Sequence, residues 1–441
     1  MASSDSPGAT RTAPRWTQWT PYLGKPPALT DRQWRVMGLV SVAVLFDQYD
    51  LSLLSLALKQ IQAELHISEG DLGSVGAFVR LGALPSFLIV MLADLIGRRR
   101  VMIGTIVVYT LLTGASAFAP DAQAFMWLQF FARTFAVAET ILAYVVVTEE
   151  FDAAHRGWGI GALAALAAGG NGLALVLFSS VNVIPFGWRA LYLVGLVPLT
   201  LVAWLRRGLP ETARFEGLHL APTRESVARH AFKPVVALLT RYPARFFATC
   251  AVVFLLAFAG AAGGFFEAKY VQDAHGWSPG RYALLGVFGG FIGLFGSAWA
   301  GRFSDQRGRR MTAIAFVTLD ALLSIAFYQS PGWLLAPIWI ANVFTSLATG
   351  VALSTFGNEL FPTSHRSTAA GARMVASTLG AALGLHAESL LYGAYGSHWT
   401  AICLLEVCTL AAPFIIYFVY PETSGKRLEE ISPDDDAPRA H

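Results

Sequence analysis

Long apolar runs recur along the whole chain, separated by short polar segments. The runs are about 18 to 27 residues long, and a helix needs roughly 20 residues to cross about 30 Å of hydrocarbon. Because the runs do not alternate at period two, and because lipid offers no partners to free backbone groups, we expect helices rather than barrel strands. The pattern predicts twelve transmembrane helices, at 34–58, 71–93, 101–119, 122–148, 158–183, 189–207, 245–270, 281–301, 311–329, 333–358, 368–392 and 398–420.

The composition excludes an ordinary soluble domain. Of the 441 residues, 55% are hydrophobic and 14% are charged, whereas soluble domains carry about 25% charged residues. The mean hydropathy is +0.51. The predicted fold class is therefore an all-α, polytopic membrane protein.

The sequence offers no metal or catalytic cluster. Cys250, Cys403 and Cys408 fall inside apolar runs and are expected to be packing residues, and the histidines are scattered. We expect no metal, no cofactor and no enzymatic activity. The expected partners are a small-molecule solute, protons and the lipid bilayer, with no nucleic acid.

The positions of the basic residues predict the topology. With the N-terminus inside, most of the 32 Lys and Arg residues fall on the cytoplasmic side. Both termini are thus expected in the cytoplasm. The protein is expected in the plasma or inner membrane. The first thirty residues are polar and Pro-rich, so no removable signal peptide is expected.

Three short motifs recur at nearly one offset, which indicates two homologous halves. Residues 94–99 return at 305–310, Glu149 with Arg156 returns as Glu359 with Arg366, and 210–212 returns at 421–423, with offsets of 211, 210 and 211 residues. The predicted organisation is an N-terminal tail at 1–32, a six-helix bundle at 33–207, a linker at 208–243, a second bundle at 244–420 and a C-terminal tail at 421–441.

These motifs resemble those of the major facilitator superfamily. Residues 92–100 resemble the family signature between helices 2 and 3, and 301–310 resemble its copy between helices 8 and 9. Residues 421–431 resemble the C-terminal signature of the sugar porter branch, and 359–363 with Arg366 resemble its fourth-helix motif. The resemblance implies a secondary transporter with two pseudo-symmetric six-helix bundles, functional as a monomer.

The motif charges lie at predicted cytoplasmic helix ends, where family resemblance implies an interdomain gate. The alternative is that they only anchor the topology. The predicted gating residues are Asp94, Arg98, Glu149, Arg156, Glu211, Asp305, Arg309, Glu359, Arg366 and Glu422.

Five ionisable residues fall at mid-membrane positions of predicted helices in the first half: Asp47, Asp50, Arg80, Arg133 and Glu139. Each would cost roughly 2.5 to 3.5 kcal/mol in lipid, so they must face a cavity or each other. Residues 46–50 resemble the helix 1 motif of sugar and organic-acid proton symporters. That resemblance implies proton coupling by Asp50, Asp47, Arg133 and Glu139, with Asp50 paired to Arg133; the alternative is a static brace between helices 1 and 4.

The second half contributes Arg373, His386 and Glu388 on helix 11. Arg373 is a candidate counter-charge for an anionic substrate, or alternatively a snorkelling gate residue. His386 and Glu388 could serve an extracellular gate or proton entry, or form a satisfied polar pair. Asp320 and Glu406, on helices 9 and 12, are expected to be structural acids.

The predicted cavity is too apolar for a sugar, because each unpaired buried hydroxyl costs about 1 to 3 kcal/mol. Aromatic residues combined with arginines favour an organic, possibly aromatic, carboxylate. Sugar or polyol symport, proton-driven export and a transporter-derived receptor stay open as alternative functions.

The glycine runs 169–172 and 263–264 could bend their helices around a substrate or let the helices pack closely. The predicted substrate contacts are Arg80, Arg373, Tyr144, Asn171, Phe265 and Phe266.

Overall fold

The described residues of the computed structural model form helices and contain no β-strand. They are 27–206, 236–362, 365–426 and residue 431, and within these ranges the side chain of Asp94 is among a few that are not described. The predicted gating residue Glu211 lies outside the described residues.

A helix or helix pair is found at each of the twelve predicted positions. The first half contains α1 (Asp31–Leu56), α2 (Leu58–Leu65), α3 (Leu72–Leu81), α4 (Ser86–Ile96), α5 (Arg98–Ser116), α6 (Ala122–Glu150), α7 (Ala153–Phe178) and α8 (Trp188–Leu205). The second half contains α9 (Pro243–His275), α10 (Pro279–Arg307), α11 (Arg309–Tyr328), α12 (Leu335–Glu359), α13 (Arg366–Tyr395), α14 (His398–Thr409) and α15 (Ala411–Val419). The all-α prediction is confirmed.

Eleven helical segments in the described part of the chain are long and apolar enough to cross a membrane. The twelfth predicted span, α5, is helical but falls short by composition, because its first turn carries Arg98, Arg99 and Arg100. The second span is interrupted between α3 and α4, where Pro85 precedes the new helix.

The chain divides into two compact units. Of the described residues, the first unit comprises 27–66 and 82–206, and the second comprises 67–81, 236–362, 365–426 and residue 431. Segment Ile67–Leu81, which contains α3 and the short 3-10 helix Glu69–Asp71, therefore belongs to the second unit although it lies in the first half of the sequence.

The predicted glycine runs lie inside unbroken helices. In the first unit, a Cβ on Gly170 of α7 would overlap the Leu45 carbonyl of α1. In the second unit, Gly380 and Gly384 of α13 approach the Phe254 and Phe258 carbonyls of α9 in the same way. Small residues thus let these helix backbones pack closely, as is usual in membranes. Of the two roles considered for the run 169–172, the structure shows packing at Gly170.

The repeated motif contains a glycine that ends one helix and begins the next. Gly97, between α4 and α5, has φ 104° and ψ 145°. Gly308, between α10 and α11, has φ 96° and ψ 143°. This region of backbone space is essentially restricted to glycine. A Cβ on Gly308 would also lie 2.8 Å from the Glu422 carboxylate, so both strain and space require glycine there.

We expect Gly308→Ala to destabilise the protein by about 1 to 3 kcal/mol, because alanine is strained in this conformation. Thermal unfolding of the purified protein in detergent measures the effect. Gly301→Ala is the matched control, since Gly301 lies inside α10 and a methyl group added there would meet nothing within 4 Å. Equal unfolding temperatures for the two variants would contradict the prediction.

Candidate functional site

Two carboxyl groups lie on one face of α1 in the first unit. Asp47 and Asp50 are three residues apart, a spacing that places both on the same side of a helix. Asp47 is 1% exposed and Asp50 is 6% exposed. The side chains lie inside the unit rather than on its surface, as expected for charges in a membrane span.

Asp50 is held by a tyrosine on α5. The Tyr109 hydroxyl donates a hydrogen bond to Oδ2 of Asp50 at 2.5 Å. Oδ1 is buried and accepts no hydrogen bond from the described part of the chain. Gly195 of α8 lies beside that oxygen, since a Cβ added to Gly195 would lie 3.1 Å from Oδ1 of Asp50. The predicted pairing of Asp50 with Arg133 stays a prediction.

Glu139 forms a buried ion pair that sequence reasoning missed. Its partner is Arg206, and both side chains are 0% exposed. The Thr105 hydroxyl donates to the second carboxylate oxygen of Glu139 at 2.6 Å. On the next residue of α6, Thr140 donates to Asp47 at 3.3 Å. Arg206 could have been suspected from sequence, since it falls within the predicted span 189–207.

Asn171, a predicted substrate contact, joins α7 to α1. Its side-chain oxygen accepts hydrogen bonds from Ser52 and, at 3.3 Å, from Gln48. Asn171 itself is exposed on the surface of the first unit, and Tyr144 of α6 is partly exposed. The roles of both side chains as substrate contacts stay predictions.

The aromatic candidates of α9 are buried in the second unit. Phe265 is 4% exposed and packs against Gly76 of α3, whose Cβ would lie 2.9 Å from its ring. Phe266 is 0% exposed and stacks on His398 at 4.5 Å. Arg80, on α3, is partly buried. The two phenylalanines act at least as packing residues, and direct contact with a substrate stays a prediction.

Arg373 lines the larger of two neighbouring cavities in the second unit. This cavity has a volume of about 580 Å³, and its wall also includes Asp320, Ser346, Thr349 and Ser377. Nε of Arg373 has no hydrogen-bond partner among the described residues, and neither does the hydroxyl of Thr349, a residue that is 3% exposed. A guanidinium group beside a cavity can bind an anion.

The smaller cavity has a volume of about 220 Å³ and is acidic. Glu267, Asp320 and Glu406 line it, and Asp320 lies on the wall of both cavities. Ser324 donates to Glu406 at 2.9 Å, while Tyr282 donates to Glu267 at 2.5 Å. Sequence reasoning did not single out Glu267, although it is an acid inside the predicted span 245–270.

The repeated motifs build the same ion pair in each unit. Arg98 contacts Glu149 at 3.2 Å in the first unit. The corresponding Arg309 contacts Glu359 in the second unit, and also lies 3.5 Å from Asp305. The sequence repeat is therefore also a structural repeat.

Glu422 caps the start of α11. Its carboxylate accepts hydrogen bonds from the backbone N–H groups of Arg309 at 2.8 Å and Arg310 at 3.2 Å. Burial acts to raise the pKa of Glu422, but the backbone donors, which include Ser424 and Thr423, outweigh it and lower the pKa. Negative charge at a helix N-terminus is stabilising.

Of the remaining gating candidates, Arg366 donates to the Phe361 carbonyl at 3.1 Å, and Arg156 is exposed.

Comparison with known proteins decides the family. The chain matches the family profile described as Major Facilitator Superfamily over residues 40–385 and again over 251–437. The chain belongs to the Major Facilitator Superfamily. The resemblance inferred from the motifs is thereby confirmed, and so is the prediction that this superfamily member is a transporter and not an enzyme.

Relatives of this superfamily member include named transporters of organic acids. It is 27% identical over 367 residues to the cis,cis-muconate transport protein of Acinetobacter baylyi, covering 79% of this chain and 86% of that protein. It is 24% identical over 436 residues to a niacin transporter of the same organism, covering 90% and 95%.

A solved structure supports the fold of this superfamily member. The crystal structure of a D-xylose-proton symporter matches with a TM-score of 0.74 and 17% sequence identity, covering 89% of this chain and 99% of that chain. At this identity the likeness shows the fold alone, a multi-pass helical membrane protein.

We expect the Glu139–Arg206 pair to be strongly coupled. Glu139→Gln or Arg206→Gln alone leaves a buried charge uncompensated and should cost about 3 to 5 kcal/mol. The double variant should cost clearly less than the sum, and thermal unfolding in detergent measures all three. Arg32→Gln is the control, because Arg32 pairs with Glu150 while 42% exposed, and such pairs contribute about 1 kcal/mol at most. Additive losses at Glu139 and Arg206 would contradict the coupling.

Proposed function

We propose that the protein moves a small organic carboxylate, in particular an aromatic or unsaturated acid, across the membrane by proton-coupled alternating access. The observation that carries the carboxylate assignment is Arg373, whose guanidinium lines a cavity of about 580 Å³ in the second unit. Guanidinium binds carboxylate through two parallel hydrogen bonds, which gives orientation as well as affinity.

The cavity wall suits an acid with an apolar body. Beside Arg373 it contains Val253, Leu256 and Leu353, together with hydroxyl groups such as Thr349. The organic acids named for the muconate and niacin transporters fit this combination. Arg80, Tyr144, Asn171, Phe265 and Phe266 are proposed as further substrate contacts.

Proton coupling is assigned to the first unit. A carboxyl group in a membrane span is costly to keep charged, and Asp50 has one oxygen hydrogen-bonded to Tyr109 and the other without a described partner. We infer that Asp50 takes up and releases the transported proton. Asp47, Glu139 and Arg133 would adjust the local charge as it does so.

The gating assignment is also a proposal. The equivalent pairs Arg98–Glu149 and Arg309–Glu359 give each unit the same charged helix ends. We propose that these pairs, with Asp94, Arg156, Glu211, Asp305, Arg366 and Glu422, form and exchange contacts during the transport cycle. The excess of Lys and Arg in the termini and linker supports the proposal that both termini are cytoplasmic and that the protein lies in a plasma or inner membrane. We also propose that the protein works as a monomer.

Arg373→Gln should raise the KM for substrate by roughly 10- to 100-fold, because a hydrogen bond to a charged group contributes about 1.5 to 3 kcal/mol. Uptake of labelled cis,cis-muconate and niacin into proteoliposomes measures this, with xylose as the neutral comparison. Arg281→Gln is the matched control, since Arg281 lies over the Trp277 ring at 3.8 Å and outside the cavity walls described here. Unchanged KM in Arg373→Gln, or uptake of xylose alone, would contradict the carboxylate assignment.

Asp50→Asn should abolish accumulation of substrate driven by an imposed pH gradient while retaining exchange of external for internal substrate. The reason is that exchange needs no net proton release, whereas accumulation does. Asp121→Asn is the control, because Asp121 caps α6 at an exposed site where asparagine also serves. Full gradient-driven accumulation in Asp50→Asn would overturn the assignment of the proton to Asp50.

A further inference from the structure

A carboxyl–imidazole–carboxyl chain lies in the second unit, away from Asp50. Nδ1 of His398 lies 2.5 Å from Oε1 of Glu388, and Nε2 lies 3.0 Å from Oε2 of Glu69. We call these three residues the histidine triad. Glu69 belongs to segment Ile67–Leu81, Glu388 to α13, and His398 begins α14.

The imidazole is fixed in position by its neighbours. It is stacked between the rings of Phe266 at 4.5 Å and Tyr392 at 4.1 Å. His398 is 5% exposed and Glu388 is 0% exposed, whereas the Glu69 side chain is 44% exposed. The triad therefore runs from a buried carboxyl to a carboxyl that solvent can reach.

The geometry of the triad fixes how many protons it needs. Each of the two nitrogen–oxygen contacts requires one bridging hydrogen. Three arrangements supply both: a doubly protonated imidazole between two carboxylates, or a neutral imidazole in either tautomer that donates to one carboxylate and accepts from the other carboxyl group in its protonated form. Removing one proton leaves a ring lone pair facing a carboxylate oxygen, which is repulsive. The contacts as they stand thus require a bound proton.

Other charged groups around the triad fasten the same segment. Lys269 of α9 contacts Glu69 at 3.1 Å and Asp273 at 2.7 Å. On α13, His386 lies 3.1 Å from the Ser74 hydroxyl of α3. The described titratable and charged groups that contact His398, its partners or the segment thus include Glu69, Glu388, Lys269, Asp273, His386 and Tyr392.

Segment Ile67–Leu81 also packs directly against α13 near the triad. The Ser389 hydroxyl accepts a hydrogen bond from the Ser74 backbone N–H at 2.9 Å. A side chain on Gly73 would overlap the Glu388 carboxyl and the Leu385 carbonyl, so the backbone of α3 lies directly against α13. The proton in the triad is therefore placed where it can control how firmly the segment is attached.

We propose that the histidine triad is a proton-binding site, separate from Asp50, whose occupancy fastens segment Ile67–Leu81 to the rest of the second unit. Its ligand is the proton itself. The proposal does not depend on the identity of the transported substrate or on the role of Asp50.

Amide hydrogen exchange of the full-length protein in detergent tests this directly. After correction for the intrinsic pH dependence of exchange, protection of amides in Glu69–Leu81 should fall roughly tenfold or more between about pH 5 and pH 9, since a hydrogen bond to a charged group is lost. In His398→Gln, which lacks the imidazole of the triad, this drop in protection should be largely lost. The control His66→Asn alters an exposed histidine in a left-handed conformation that asparagine tolerates, and it should respond like the wild type.

Glu69→Gln keeps the proposal testable if His398→Gln does not fold. This variant retains an acceptor for Nε2 but removes a negative charge that favours the bound proton, so the drop in protection should move to lower pH. Wild-type protection that does not change with pH would overturn the proposal. The proposal would also be overturned if amide protection in His398→Gln fell with pH as it does in the wild type. The same holds if protection in Glu69→Gln fell at the same pH as in the wild type.

Discussion

An ionisable side chain inside a membrane span must find a partner within the protein, because hydrocarbon offers none. Several described side chains in each unit meet this constraint. Glu139 is neutralised by Arg206, and Asp50 is held by Tyr109. Lys269 bridges two acids of the second unit. These contacts tie neighbouring helices together, so the positions that allow charge in the membrane also determine which helices pack side by side.

The duplicated motifs solve one structural problem twice. Gly97 and Gly308 adopt nearly the same left-handed conformation, which lets one helix end and the next begin without an intervening loop. The arginine after each glycine contacts a glutamate, Glu149 or Glu359. The halves differ in their interior charges. A buried ion pair occupies the first unit, whereas the acidic and arginine-lined cavities described here lie in the second.

Most of the fold follows from the sequence, because length and apolarity alone determine where a helix can cross a bilayer. The repeat at offsets of 210 and 211 residues likewise predicts that the charged residues of one half recur at equivalent helix ends of the other. Pairing over long sequence distances could not be predicted. Arg206 lies 67 residues from Glu139, and His398 lies 329 residues from Glu69. Nothing in the local pattern around these residues indicates which distant side chain will meet them.

The central claim is that movement of an organic acid and movement of a proton are one event. Recording the lumenal pH of proteoliposomes after external cis,cis-muconate is added, with no gradient imposed, tests it most directly. Protein-free vesicles correct for passive entry of the protonated acid. We expect the wild-type protein to acidify the lumen in step with labelled muconate uptake. Muconate uptake with no change in lumenal pH beyond that of protein-free vesicles would contradict it.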